Sequence, residues 1–202
     1  MNLREITLAV LAGGAGTRMG VPKAQLQVRG KPILDWLLAR WGWEGPKLLV
    51  TAPGREHPPG CEGFDREAID AVPDQGPMRG VVTALDAVGT EMIVVATCDM
   101  PLVGRHQLVW LAQRLVEWPA RSGLFIARQN GAAMKIEPFP CAVRRSAMEL
   151  LNSRLAAGDF AMHSLAELQQ FELLACPDDW AAETWLNLNR PDDLKALEHA
   201  LL

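Results

Sequence analysis

The chain has 202 residues, 49% hydrophobic and 22% charged, which is enough apolar material for one core. A formal charge of −4 argues against non-specific nucleic-acid binding or an anionic membrane surface, and no apolar run reaches the roughly 20 residues of a membrane span. The four cysteines and four histidines form no CxxC pair and no Cys-His neighbours at ligand spacing, so reduced thiols are expected rather than a zinc site.

The N-terminal MNLREITLAVLAGG lacks the longer h-region and cleavage site of a signal peptide, which points to a cytoplasmic, soluble protein. ITLAVL (6–11) reads as a buried strand running into a glycine loop. A helix follows over 32–41, with Pro32 in its first turn, and KLLVT (47–51) is a second strand. Residues 54–63, GREHPPGCEG, form a loop. A helix over 76–88 opens on Gly-Pro, and MIVVATCD (92–99) is a β-branched buried strand ending in an acid. Helical periodicity over 105–118 precedes a strand at 123–128. Residues 132–146 look extended, then come helices at 147–158 and 163–170, a strand at 171–176 and a capped helix at 191–202. Trp36, Trp41, Trp110 and Trp118 lie at or near these helices as packing residues. The βαβα rhythm predicts a three-layer α/β fold, Rossmann-like with a mostly parallel sheet, as one domain over 1–202.

In an open α/β sheet, ligands sit at the carboxyl ends of the strands. LAGGAGTRMGVPK (11–23) occupies such an end. Gly14 and Gly16 let backbone N–H groups approach a phosphate without an intervening Cβ, and Arg18 and Lys23 add charge-assisted hydrogen bonds. The spacing fits neither GxxxxGK[ST] nor GxGxxG, because Met19 stands where the third dinucleotide glycine belongs. Taken alone, GGAG is equally a structural turn. The Arg18-Met19-Gly20 and Pro22-Lys23 continuation favours a polyphosphate cradle.

LAGGAGTRMGVPK resembles the signature loop of nucleotidyltransferases with a glycosyltransferase-A-like (GT-A-like) fold. DQGPMRGVVTALDAV (74–88), CDMP (98–101) and NLNRPDDL (187–194) extend the resemblance to the molybdenum cofactor guanylyltransferases, the MobA type, over nearly the whole chain. Two features depart from that pattern: Pro22 stands where the family usually has an acid, and Met78 replaces the leucine of GPL. The paired asparagines favour the guanylyl over the cytidylyl branch.

The resemblance implies transfer of GMP from GTP to the phosphate of molybdopterin, with pyrophosphate leaving. It implies Mg²⁺ as cofactor, and as partners a protein that delivers molybdopterin and a molybdoenzyme that receives the product. Asp99 is the candidate metal ligand, the alternative being a cap on the following turn. Lys23 neutralises phosphate charge, and Arg18 contacts the leaving pyrophosphate or pairs with a nearby acid. Leu11, Ala12 and Gly13 offer backbone groups for reading guanine. Asp74 binds the guanosine portion or a metal-bound water, or is an ordinary loop acid. Asn187 and Asn189 alternate with leucines, so an extended chain puts both amides on one face, where they orient the acceptor. Alternatively Asn189 caps the last helix, whose first-turn Asp192 and Asp193 read as dipole partners. A molybdopterin cytidylyltransferase, a sugar- or alditol-phosphate nucleotidyltransferase, and a nucleotide-binding regulatory module are the competing readings.

Overall fold

Strand β1 (Ile6–Leu11) is buried from Ile6 to Val10, which requires cover on both of its faces. In this computed structural model, which describes residues 1–201 except Ala15 and Asp74, that cover comes from helices on a seven-stranded sheet. After β1 the chain makes a small hairpin of β2 (Gln27–Val28) and β3 (Lys31–Pro32), then α1 (Ile33–Trp41), β4 (Lys47–Thr51) and β5 (Arg66–Ile69). Next come α2 (Gly76–Ala87), β6 (Met92–Thr97), α3 (Arg105–Glu117), β7 (Gly123–Asn130) and β8 (Ala133–Arg144). The chain ends with α4 (Met148–Ala156), β9 (Phe171–Ala175) and α5 (Pro191–Ala200).

The sheet order is β5-β4-β1-β6-β8-β7-β9, and β8 alone runs against its neighbours. The α/β, mostly parallel architecture follows the sequence reading. Helices α1 and α3 pack together, as do α2 and α4, so the interior strands are sandwiched. Trp41 is fully buried and donates its indole N–H to the Val103 carbonyl at 3.0 Å, which ties α1 to the entry of α3.

Three differences from the sequence reading have physical causes. Strand β5 was not expected, because a short edge strand whose middle residues are only half-buried carries little pattern. Strand β6 stops at Thr97, and Cys98 and Asp99 turn away, with the Cys98 amide donating to the Leu11 carbonyl at 3.2 Å. Residues 163–170 do not form an α-helix; Met162–Glu167 is a 3₁₀ segment. There the Ser164 hydroxyl bonds to the Ala161 carbonyl at 2.8 Å and Asp159 accepts from the Ala161 amide at 3.2 Å, local bonds that compete with an α-helical ladder.

The C-terminal segment returns to the middle of the sheet. The Leu188 amide donates to the Asp99 carbonyl at 2.8 Å, and the Asp193 carboxylate accepts from the amides of Asn189 and Arg190, both at 2.7 Å. Asp193 is thus the N-terminal acceptor of α5. Asp193→Ala removes it and is expected to lower stability in urea unfolding by about 1 kcal/mol.

Candidate functional site

Four parallel strands, β5, β4, β1 and β6, end on the same edge of the sheet, and the segments leaving them line one cavity of about 390 Å³. Leu11, Gly13 and Gly14 come from the end of β1, Ala52 and Arg55 from β4, Asp70 and Pro73 from β5, and Thr97 and Asp99 from β6. The N-terminus of α2 adds Gly76, Pro77 and Gly80. A helix start at such a place contributes partial positive charge and favours an anionic ligand.

At the mouth of this cavity three distant parts of the chain converge. Lys23 opens a short 3₁₀ turn (Lys23–Gln25), and its Nζ lies 2.6 Å from Asp99 Oδ2 and 2.6 Å from Asn189 Oδ1. The Lys23 and Asp99 side chains are each 17% exposed, so the pair is partly screened from water. Among the described residues Asp99 Oδ1 is buried without a hydrogen-bond partner. A buried carboxylate oxygen left without a donor is costly, and a hard cation satisfies it. Asp99 therefore fits a divalent metal and does not serve as a simple turn cap.

The remaining expected residues are distributed less evenly. Arg18 stands exposed in the turn over 17–20, outside the cavity lining, and forms no ion pair among the described residues. Ala12 is buried behind the cavity, and its amide is engaged by the Val50 carbonyl at 2.8 Å. Leu11 and Gly13 face the cavity. Asn189 reaches Lys23, whereas the Asn187 amide turns to the Trp185 carbonyl at 3.1 Å, so the two asparagines do not act as a pair. Asp74 lies outside the described residues.

The loop glycines divide into two kinds. Gly16 has φ +61°, and a Cβ there would sit 1.8 Å from the Val21 carbonyl oxygen, so the loop's return requires glycine. At Gly13 and Gly14 a Cβ would meet only ordinary contacts, 3.5 Å from Ala52 and 3.6 Å from Lys23. The fold does not demand glycine at those two positions. Glycine there leaves the backbone open toward the cavity.

Two cavity residues went unread in the sequence. Arg55 donates to the Gly14 carbonyl at 2.8 Å, placing a guanidinium against the glycine loop. Asp70 follows β5, and burial pushes its carboxyl pKa up, with Thr83 and then Arg79 opposing the shift. Its Oδ1 is buried without a partner among the described residues. Neither residue sits in a local motif; strand pairing alone delivers both.

Residues 8–172 match the MobA-like NTP transferase domain family. The chain belongs to this family. It is 32% identical over 200 residues to a molybdenum cofactor guanylyltransferase of Cereibacter sphaeroides, covering 95% of each chain. A probable molybdenum cofactor guanylyltransferase of Bacillus licheniformis is 27% identical, covering 94% of each. The fold is similar to that of molybdopterin-guanine dinucleotide biosynthesis protein A from Archaeoglobus fulgidus, at a TM-score of 0.79 and 23% identity, covering 96% of this chain and 98% of that one. A 2-C-methyl-D-erythritol 4-phosphate cytidylyltransferase from Thermus thermophilus shares the fold at a TM-score of 0.68 and 18% identity, covering 96% and 97%. The MobA-like chain is thus an enzyme of the nucleotidyltransferase class, built for MobA-type nucleotidyl transfer. Among its described residues no helix is long and apolar enough to cross a membrane.

Two outcomes follow from this geometry. Gly13→Ala is expected to leave the melting temperature within about 2 °C while raising the KM for nucleoside triphosphate at least tenfold, whereas Gly16→Ala lowers the melting temperature itself. Asp70 carries a folded pKa above the ordinary 3.8, so its contribution to stability is complete below that pH and lost as pH rises through the folded value. Asp70→Asn is therefore expected to melt higher than the parent at pH 7, with the gap closing as pH falls toward 3.8.

Proposed function

We propose that the chain, as one domain over 1–202, transfers GMP from GTP to the terminal phosphate of molybdopterin. The observation that carries this reading is the Lys23–Asp99–Asn189 cluster at the mouth of the cavity, with one Asp99 oxygen unpartnered among the described residues. It is supported by the names of the relatives, which cover nearly the whole chain.

In the proposed reaction a molybdopterin phosphate oxygen attacks the α-phosphorus of GTP in line. The bond from that phosphorus to the bridging oxygen breaks, and pyrophosphate leaves with the electron pair. Positioning and charge neutralisation supply most of the acceleration. Gly13 and Gly14 let the phosphates approach the backbone. Lys23 engages two of its three donors with Asp99 and Asn189, and the third points its charge at the phosphates. Arg55, held at Gly14, and Arg18, on the rim of the loop, stabilise charge accumulating on pyrophosphate. Asp99 would hold Mg²⁺ through its free oxygen, and the bound ion supplies further neutralisation of the phosphate oxygens. The nucleoside enters the cavity between Leu11, Gly80 and Ala52, where the Asp70 carboxylate accepts from its N–H or hydroxyl groups. Main-chain groups of Leu11, Ala12 and Gly13 read the guanine edge, with the Ala12 amide excluded by its bond to Val50 and one lone pair of the Leu11 carbonyl already taken by the Cys98 amide. Asn189 fixes the Lys23 ammonium, and Asn187 acts on the acceptor side only through the segment it stiffens.

Pyrophosphate release measured with each nucleoside triphosphate, with and without molybdopterin, tests the assignment. GTP with molybdopterin is expected to give the highest rate, and equal or faster turnover with CTP overturns the guanine assignment. Asp99→Ala is expected to abolish detectable turnover with circular dichroism unchanged; near-normal activity removes Asp99 from the reaction.

A further inference from the structure

Beside the cavity, on the flank of β4 and β5, the fold gathers three residues of different donor type. His57 comes from the loop after β4, Cys61 from the 3₁₀ turn Cys61–Gly63, and Glu67 from β5. One nitrogen, one sulfur and one carboxylate oxygen of these residues all lie within 4.8 Å of one another. Four ligands around Zn²⁺ at its usual bond lengths stand about 3.3–3.8 Å apart, so closing the site takes an adjustment of about 1 Å. Such a shift is within reach of the His57 side chain, which is 75% exposed.

The surroundings prepare this arrangement. Thr51 donates to Glu67 Oε1 at 2.7 Å, which fixes the carboxylate and turns Oε2 toward His57 Nδ1 at 2.5 Å. An orienting hydrogen bond of this kind is what metal-ligating carboxylates ordinarily carry. A fourth donor is at hand, since Glu62 Oε2 lies 3.7 Å from Cys61 Sγ. The cluster has two or three negative charges once the thiol ionises, enough to neutralise a divalent ion. The nitrogen, sulfur and oxygen donor set selects a borderline-soft ion and disfavours Mg²⁺, which prefers oxygen alone.

We propose that His57, Cys61 and Glu67, with Glu62 completing the shell, form a binding site for Zn²⁺ or a similar borderline divalent ion. Binding releases the Cys61 thiol proton to solvent and joins sulfur to metal with no change of oxidation state. The ion clips the loop over 52–61 onto β5. That loop carries Arg55, two residues before His57, and β5 leads directly into Asp70. The site is therefore a structural staple beside the nucleotide cavity, and its ligands are separate from Asp99.

The test uses the full chain stripped with EDTA and titrated with Zn²⁺ against a chromophoric chelator, with Co²⁺ as a spectroscopic probe. The parent is expected to take up one equivalent of Zn²⁺, raise its melting temperature on doing so, and show a thiolate-to-cobalt absorption band. Cys61→Ser and His57→Ala are each expected to weaken Zn²⁺ binding at least tenfold and Cys61→Ser to remove the cobalt band; exposed His57 can be cut back without disturbing the core. Cys176→Ser and Asp99→Ala should bind as the parent does, which separates this site from the proposed catalytic cation. Failure of the parent to take up an equivalent, or undiminished binding by Cys61→Ser and His57→Ala, overturns the proposal.

Discussion

The contact between Lys23 and Asp99 is the constraint on which the rest of the site depends. It joins the end of the glycine loop to the turn after β6, and Asn189 adds the returning C-terminal segment to the same ammonium. Three stretches separated by 76 and 166 residues are thereby held at one point. Such a pair is weak evidence for stability, because removing two charges from water offsets much of their attraction. Its value lies in placing a cation and an anion at fixed positions beside a cavity, the anion with one oxygen that has no donor among the described residues.

The sheet explains why the point is where it is. All four parallel strands that feed the cavity deliver their following residues to one edge, and the loops leaving that edge carry the chemistry. The helix α2 is drawn tight against β1, since a Cβ on Gly80 would come within 3.0 Å of Leu11 Cδ2. That close approach aims the start of α2, at Gly76 and Pro77, into the cavity. Backbone dipole, guanidinium and ammonium then all present positive potential to the same volume, while Asp70 and Asp99 supply acceptors at its margins.

What could be read in the sequence was whatever is contiguous. The glycine loop, the acid after β6 and the NLN segment each announce themselves within a dozen residues, and the structure brings Lys23, Asp99 and Asn189 together. Strands β1 and β4 were legible as short unbroken apolar runs, and helix α3 by its helical period. Arg55 and Asp70 were not, since a lone arginine in a loop and an acid after a half-exposed edge strand carry no local mark. The His57–Cys61–Glu67 cluster was hidden for the same reason. The sequence reading found no cysteine–histidine pair at ligand spacing and passed over His57 and Cys61, four residues apart, because the carboxylate that joins them arrives only through the pairing of β5 with β4. Asn187 shows the opposite failure, where alternation suggested a shared face and a local bond to the Trp185 carbonyl turned the amide elsewhere.

The glycines carry the last distinction between fold and function. A glycine can be required by the backbone it sits in or by something brought against it, and only the first leaves a trace in the protein's own contacts. Gly16 leaves that trace, in its positive φ and in the carbonyl that blocks a Cβ. Gly13 and Gly14 leave none, although they border the cavity and the Lys23 side chain. Side chains at those positions would project toward Ala52 and Lys23, narrowing the approach to the backbone from the cavity. A loop that is small where the fold permits bulk leaves its backbone open to the cavity, and an exposed backbone flanked by lysine and arginine has the chemistry that suits a chain of phosphates.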